Sequence, residues 1–142
     1  MFKKALVGVD GTESSLKAVV AAKELLEKGV FEEVTLLSVI APASSVGVAE
    51  AVIYIPQVSE NLFENAKRVL EDTLAATGDH EKINTHIEAG IPGDVIIGMA
   101  KRDGYDAILV GSRGFSGVKR LFLGSVSTQV VQSAECPVFV IR

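Results

Sequence analysis

What most constrains this chain is an alternation. Short apolar runs suited to buried strands are each followed by a segment with apolar residues at helical spacing, and the pattern recurs along the whole sequence. Phe2 to Val9 reads as a buried strand. Thr12 or Ser14 can cap the next helix, which carries Leu16, Val19, Val20 and Leu26 at its apolar positions, and Gly29 offers a left-handed stop. Val34 to Ile40 is a second strand. Beyond a connection from Ala41 to Val58, a helix sets Leu62, Ala66, Val69, Leu70 and Leu74 on one face and stops at Gly78. Ile83 to Glu88 alternates as a third strand, and Pro92 suits the first turn of a short helix with Ile96, Met99 and Ala100 inward and Gly104 at its end. Ala107 to Val110 forms the fourth strand. Ser125 can cap a last helix bearing Val126, Val130, Val131 and Ala134, and Cys136-Pro137 breaks the chain before a final strand, Val138 to Ile141.

Five strands and four helices in this order predict an α/β fold, an open parallel sheet with helices on both faces. With 142 residues, 48% hydrophobic and 23% charged, one core and a single domain over residues 1–142 are expected. The 41–58 connection is long for a β–α loop and reads as a lid or an insertion; its cluster AVIYI, residues 51–55, can pack on a ligand, on a partner or on its own helix.

A formal charge of −4, with no basic run, argues against nucleic acid and anionic membranes as general partners. No apolar run reaches the roughly 18 residues of a membrane helix, and Asp10 interrupts the opening MFKKALVGVDG before a signal-peptide core can form, so a cytoplasmic protein is expected. Cys136, the only cysteine, fits a reducing compartment and reads as a small buried hydrophobe. His80 and His86 lack metal-ligand spacing, and no serine sits in a G-x-S-x-G elbow, so triad hydrolysis finds no support.

In a sheet of this kind ligands bind beyond the carboxyl ends of the strands, where strand order reverses. The first and fourth strands end in polar, glycine-rich loops, VGVDGT and VGSRGFSG. Gly111 and Gly114 permit positive φ and a close approach of main-chain N–H groups to an anion. Gly124-Ser125 opens a helix whose free N–H groups and positive dipole end make a second anion site, with the Ser125 hydroxyl as an added donor. Arg113, with Lys119 or Arg120, can neutralise charge there. Taken singly, each residue has a plainer role, as turn, cap or solvated cation; together, at one end of the sheet, they suit a chain of phosphates. Asp10 caps the first helix, or accepts ribose hydroxyls, or shares a divalent cation with the phosphates. A phosphoacceptor aspartate is disfavoured, because no adjacent acidic pair stands at the first strand end.

Neither common phosphate-binding glycine motif is present. Instead, Gly111-x-x-Gly114, nine residues, then Gly124-Ser125 resembles the nucleotide-binding motif G-2x-G-9x-G-[ST] of the universal stress protein family. The resemblance extends through KKALVGVDGTESSLKAV, VTLLSVIAP, GIPGDVIIGMAKRDGYDAILVGSRG and CPVFVIR. It implies a Rossmann-like, adenine nucleotide alpha hydrolase-like sheet in the order 3-2-1-4-5, ATP at the carboxyl edge with Mg²⁺ or Mn²⁺, and a homodimer through the last strand. By the same resemblance Gly111, Arg113 and Gly114 surround ribose and phosphates, Gly124, Ser125 and Val126 take the phosphate tail, Asp10 meets the ribose and can reach the metal, and the main chain of Val39 meets adenine. Gly8, Val9, Val110 and Ser127 complete the implied cofactor contacts; at Gly8 the family often has Pro or Ala. The function implied is an ATP-binding stress-response switch or sensor read by a protein partner. The rival is a slow ATPase or a phosphoryl or nucleotidyl transferase in the same pocket, which needs a base and a metal clamp that the sequence does not display. The edge position of VFVIR independently favours pairing with a second copy.

Overall fold

Each apolar run becomes a strand and each helix-period segment a helix. The structure, a computed structural model, describes residues 2–41, 56–113 and 123–142, and for 56–59 the backbone alone. In chain order the elements are β1 (Lys4–Gly8), α1 (Glu13–Glu27), β2 (Glu33–Ile40), α2 (Pro56–Thr77), β3 (Ile83–Ala89), α3 (Pro92–Arg102), β4 (Ala107–Gly111), α4 (Ser125–Ser133) and β5 (Val138–Ile141). The strands pair in parallel in the order β3-β2-β1-β4-β5. Ala5 lies between Val34 and Ala107, and Val7 between Leu36 and Leu109. Order therefore reverses at β1 and β4, whose carboxyl ends stand side by side. Most of the 41–58 connection, with AVIYI, lies outside the described residues, as do Gly114, Lys119 and Arg120.

Period-two alternation along the strands builds two apolar layers. Ala5, Val7 and Val9 face one side, with Val34, Leu36 and Leu109, and are covered by Ala18, Val19, Ala22 and Leu26 of α1 and Leu70 of α2. Leu6, Leu37, Ile108 and Val110 face the other, against Ile96, Met99 and Ala100 of α3 and Val130 of α4. Three residues expected to face the core differ: Val20, Leu62 and Val131 are exposed, each one step round its helix from, or at the end of, the buried stripe. Helical periodicity sets the stripe's direction, but only the packed neighbour sets its width.

Local chemistry fixes the helix ends. Thr12 is the N-cap of α1, accepting a hydrogen bond from the Ser15 N–H at 3.2 Å. Gly29, Gly78 and Gly104 all have positive φ just past their helices, as their positions predict. Lys23 on α1 reaches across to the Thr77 carbonyl at 2.7 Å and so ties down the end of α2. Among the described residues no helix is long and apolar enough to cross a membrane.

Candidate functional site

The chain leaving β1 turns at once. Asp10 Oδ1 accepts from the Thr12 N–H at 2.9 Å and from the Thr12 hydroxyl at 2.5 Å, and the Asp10 N–H donates to Ser15 Oγ at 3.3 Å. These bonds hold the carboxylate in the turn that leads into α1, whose N-cap is Thr12 and not Asp10. The second oxygen, Oδ2, engages none of the described residues and stays open to a hydroxyl or a cation. Val9 is buried on the α1 side, and its N–H extends the ladder to the Leu37 carbonyl at 2.8 Å. Gly8 has no side chain where Ile96 Cδ1 fills the space; a Cβ there would lie 3.1 Å from that methyl.

The neighbouring strand end behaves differently from its sequence reading. Gly111 is a strand residue and does not have positive φ. It needs to lack a side chain because its α-carbon rests on the first turn of α1 at Ser14, where a Cβ would overlap main-chain atoms. One residue on, the buried Ser112 donates its N–H to the Ile141 carbonyl at 2.8 Å. Its own carbonyl accepts from the Gly124 N–H at 2.7 Å and from the Ser127 hydroxyl at 3.4 Å. The two ends of the 113–123 connection are thereby pinned together, which brings the first and last thirds of the sequence motif to one place. The Arg113 N–H donates to Ser14 Oγ at 3.0 Å, and Arg113 itself is exposed.

Helix α4 starts at this junction. Its N-cap is Gly124, with extended φ of −62° and ψ of 163° and no side-chain capping bond; Ser125 is the first helical residue. The cap expected at Ser125 is therefore one residue earlier, because the cap is the last residue in extended backbone and Gly124 holds that conformation. Ser125 is exposed and its hydroxyl remains unused among the described residues. Ser127 is buried and donates its hydroxyl to the Gly124 carbonyl at 3.0 Å, closing the turn from inside. No acceptor among the described residues engages the N–H groups of Ser125, Val126 and Ser127, which open on the carboxyl edge at the positive end of the helix.

The sequence-predicted residues divide by face. Val39, Val110 and Val126 belong to the apolar layer on the α3 and α4 side, whereas Val9 belongs to the opposite layer. Gly111 and Arg113 meet Ser14 in the first turn of α1, Gly124 meets Ser112 at the end of β4, and Asp10 follows β1, the strand beside β4. Sequence offered Ser14 only as an alternative helix cap and gave Ser112 no structural role; both act through contacts roughly a hundred and a dozen residues away, respectively, that no local spacing records. A separate cleft of about 320 Å³ lies between the first turn of α1 and α2, lined by Gly11, Thr12, Glu13, Leu16, Val69, Asp72, Thr73 and Ala76, with no residue of β4 or α4.

Other ionisable groups serve structure. Burial pushes the Cys136 thiol up, away from nucleophilic character. His86 sits 3.4 Å from Glu88, whose carboxyl is lowered chiefly by its hydrogen bond from Arg102. Among the described residues no three His, Cys, Asp or Glu side chains cluster as a metal site.

Comparison with known proteins agrees with the fold. The profile of the Universal stress protein family matches residues 1–142. Universal stress protein YxiE of Bacillus subtilis is 32% identical over 152 aligned residues, covering 100% of both chains. The solved structure of MJ0577, a universal stress protein of Methanocaldococcus jannaschii, superposes with a TM-score of 0.77 at 33% identity, covering 99% of this chain and 96% of that one. A universal stress protein family protein from Arabidopsis thaliana, solved with AMP bound, gives a TM-score of 0.57 at 25% identity over 98% of this chain and 90% of its own.

Proposed function

As the chain belongs to the universal stress protein family, we propose that it is an adenine-nucleotide-binding regulatory protein that takes ATP at the carboxyl edge between β1 and β4. The observation that carries this reading is the bond from the Gly124 N–H to the Ser112 carbonyl at 2.7 Å. It sets the first turn of α4, whose Ser125, Val126 and Ser127 N–H groups meet no acceptor among the described residues, next to the end of β4. A phosphate there would accept main-chain hydrogen bonds at the positive end of a helix, each charge-assisted bond contributing about 1.5–3 kcal/mol. The Ser125 hydroxyl adds a donor, and Gly124 keeps the approach clear of a side chain.

Asp10 Oδ2 would accept from a ribose hydroxyl, while Oδ1 is held by Thr12. A divalent cation fits only as part of the nucleotide complex, held by phosphates with a single carboxylate oxygen of Asp10, in keeping with the sparse protein ligation typical of Mg²⁺. On this reading Val39, Val110 and Val126 give the apolar side of the pocket and Gly8, Val9, Gly111 and Gly114 its main-chain wall, with Arg113 supplying charge. Ser127 supports the turn from behind. The AMP found in the Arabidopsis relative lends support to an adenine nucleotide as the ligand class.

Binding, rather than turnover, is the role we assign, supported by the main-chain donors of α4 and the single carboxylate of Asp10. A nucleotide-dependent change at this edge would then be the signal that a partner protein reads. A homodimer through the outer edge of β5, in the cytoplasm, completes the proposal.

The test is calorimetric titration of ATP and AMP into wild type and Ser125→Glu. A carboxylate in the first turn of α4 favours the helix but competes with phosphate for the same N–H groups. Wild type should bind ATP more tightly than AMP, and the variant should lose at least tenfold in ATP affinity with an unchanged melting temperature. Equal ATP affinity in the two proteins would refute the assignment.

A further inference from the structure

We infer that Ser14 is a positioning residue for the Arg113 main chain beside the nucleotide edge, a role that rests on the nucleotide reading above. Two independent contacts carry the inference. The Ser14 hydroxyl oxygen accepts from the Arg113 N–H at 3.0 Å, the first main-chain amide beyond the Ser112 junction. Beside it, Gly111 lies so close that its absent Cβ would fall 2.7 Å from the Ser14 carbonyl oxygen. Ser14 thus touches β4 on one side and the start of the glycine-rich connection on the other, while belonging to neither.

Ser14 also stands two residues past Thr12, the cap that holds Asp10 Oδ1. The first turn of α1 therefore fixes two groups in one frame: the carboxylate assigned to the ribose and the amide that sets the direction of the chain entering the connection. The far end of that connection is pinned separately by Gly124 and Ser112 at 2.7 Å. Without the Ser14 oxygen the Arg113 amide would be held among the described residues only by its covalent link to Ser112, and its position would be fixed at the ligand's expense. The hydroxyl is not the helix cap, which is Thr12; its partner is the Arg113 N–H.

Ser14→Ala tests this, with Ser14→Thr as the variant that keeps the oxygen. Amide hydrogen exchange of nucleotide-free protein reads the contact directly: the Arg113 N–H should lose protection in Ser14→Ala and regain it in Ser14→Thr. Loss of one such bond should weaken ATP binding about three- to tenfold while leaving adenosine, measured by competition in ligand-observed NMR, within about twofold. A purely structural role would lower both affinities together and depress the melting temperature. If wild type binds ATP and Ser14→Ala binds it equally well, the positioning role is wrong and the nucleotide reading stands. If wild type binds no nucleotide although Arg113 exchange responds to Ser14→Ala, the nucleotide reading fails and takes the positioning role with it.

Discussion

Gly111 and Ser14 are in van der Waals contact through their main chains: a methyl group on Gly111 would stand 2.6 Å from the Ser14 carbonyl carbon and 2.7 Å from its oxygen. Backbone, unlike a flexible side-chain tip, cannot swing away, so α1 or β4 would have to shift. Gly111→Ala is expected to destabilise the fold by on the order of 1–3 kcal/mol, the usual cost of overpacking. Urea denaturation should show a lowered midpoint at an unchanged slope. Wild-type stability in the variant would mean that the two elements are not in this contact.

Asp10→Asn separates the turn-forming role of Asp10 from its proposed ligand role. Asparagine retains an acceptor oxygen for the Thr12 N–H and hydroxyl, so stability should change by less than about 1 kcal/mol. Loss of the charge, however, weakens an oxygen that accepts from ribose or shares a cation, and ATP affinity should drop about tenfold, with its Mg²⁺ dependence reduced. Unchanged affinity and unchanged metal dependence would remove Asp10 from the site.

Much of the fold was legible in local chemistry, and the reasons for the exceptions are physical. Gly29, Gly78 and Gly104 follow apolar stripes that end, and each adopts the positive φ that a helix stop requires. Gly111 looked alike in sequence and is not: its missing side chain serves a contact with Ser14, 97 residues earlier in the chain, and nothing near it in sequence records that contact. Gly124 and Ser125 show the same limit at finer scale, since either can begin a helix and only the backbone angle at Gly124 decides. The candidate site was legible where the motif names both ends of one connection, and illegible in what holds those ends together, Ser14 and Ser112. What lies between them, including Gly114, falls outside the described residues.

The amino-terminal edge of the sheet carries a pH-dependent clasp. Asp106 Oδ2 accepts from the Lys3 and Lys4 N–H groups, both at 2.9 Å, and these bonds hold its carboxyl below the usual aspartate range. A depressed folded-state pKa stabilises the fold above the unfolded value, about 3.9 for aspartate, and the gain is lost as pH falls through the folded value. The stability difference between wild type and Asp106→Ala should therefore be constant from pH 7 to about pH 5 and shrink below about pH 4. A difference that grows on acidification would show that the ionised carboxylate is not the stabilising form.

The free edge of β5 supplies the test of the proposed homodimer. The Pro137 carbonyl accepts from the Ile108 N–H and the Ile141 carbonyl from the Ser112 N–H, so by strand periodicity odd-numbered residues of β5 serve β4. Val138 and Val140 then present their polar groups outward. Proline at Val140 removes an outward N–H without touching the bonds to β4, and proline is tolerated on an edge strand in that orientation. Sedimentation velocity should show wild type as a dimer and Val140→Pro as a folded monomer. A variant that sediments as wild type would place any dimer contact elsewhere.

The central claim is that phosphate is held where the end of β4 meets the first turn of α4. The most direct measurement is an amide NMR titration of uniformly ¹⁵N-labelled protein with ATP and Mg²⁺. The largest shifts are predicted at Ser112, Arg113, Ser125, Val126 and Ser127, followed by Asp10. Shifts confined to Gly11, Thr12, Val69, Asp72 and Thr73, around the cleft between α1 and α2, or no shifts at millimolar ATP, would contradict it.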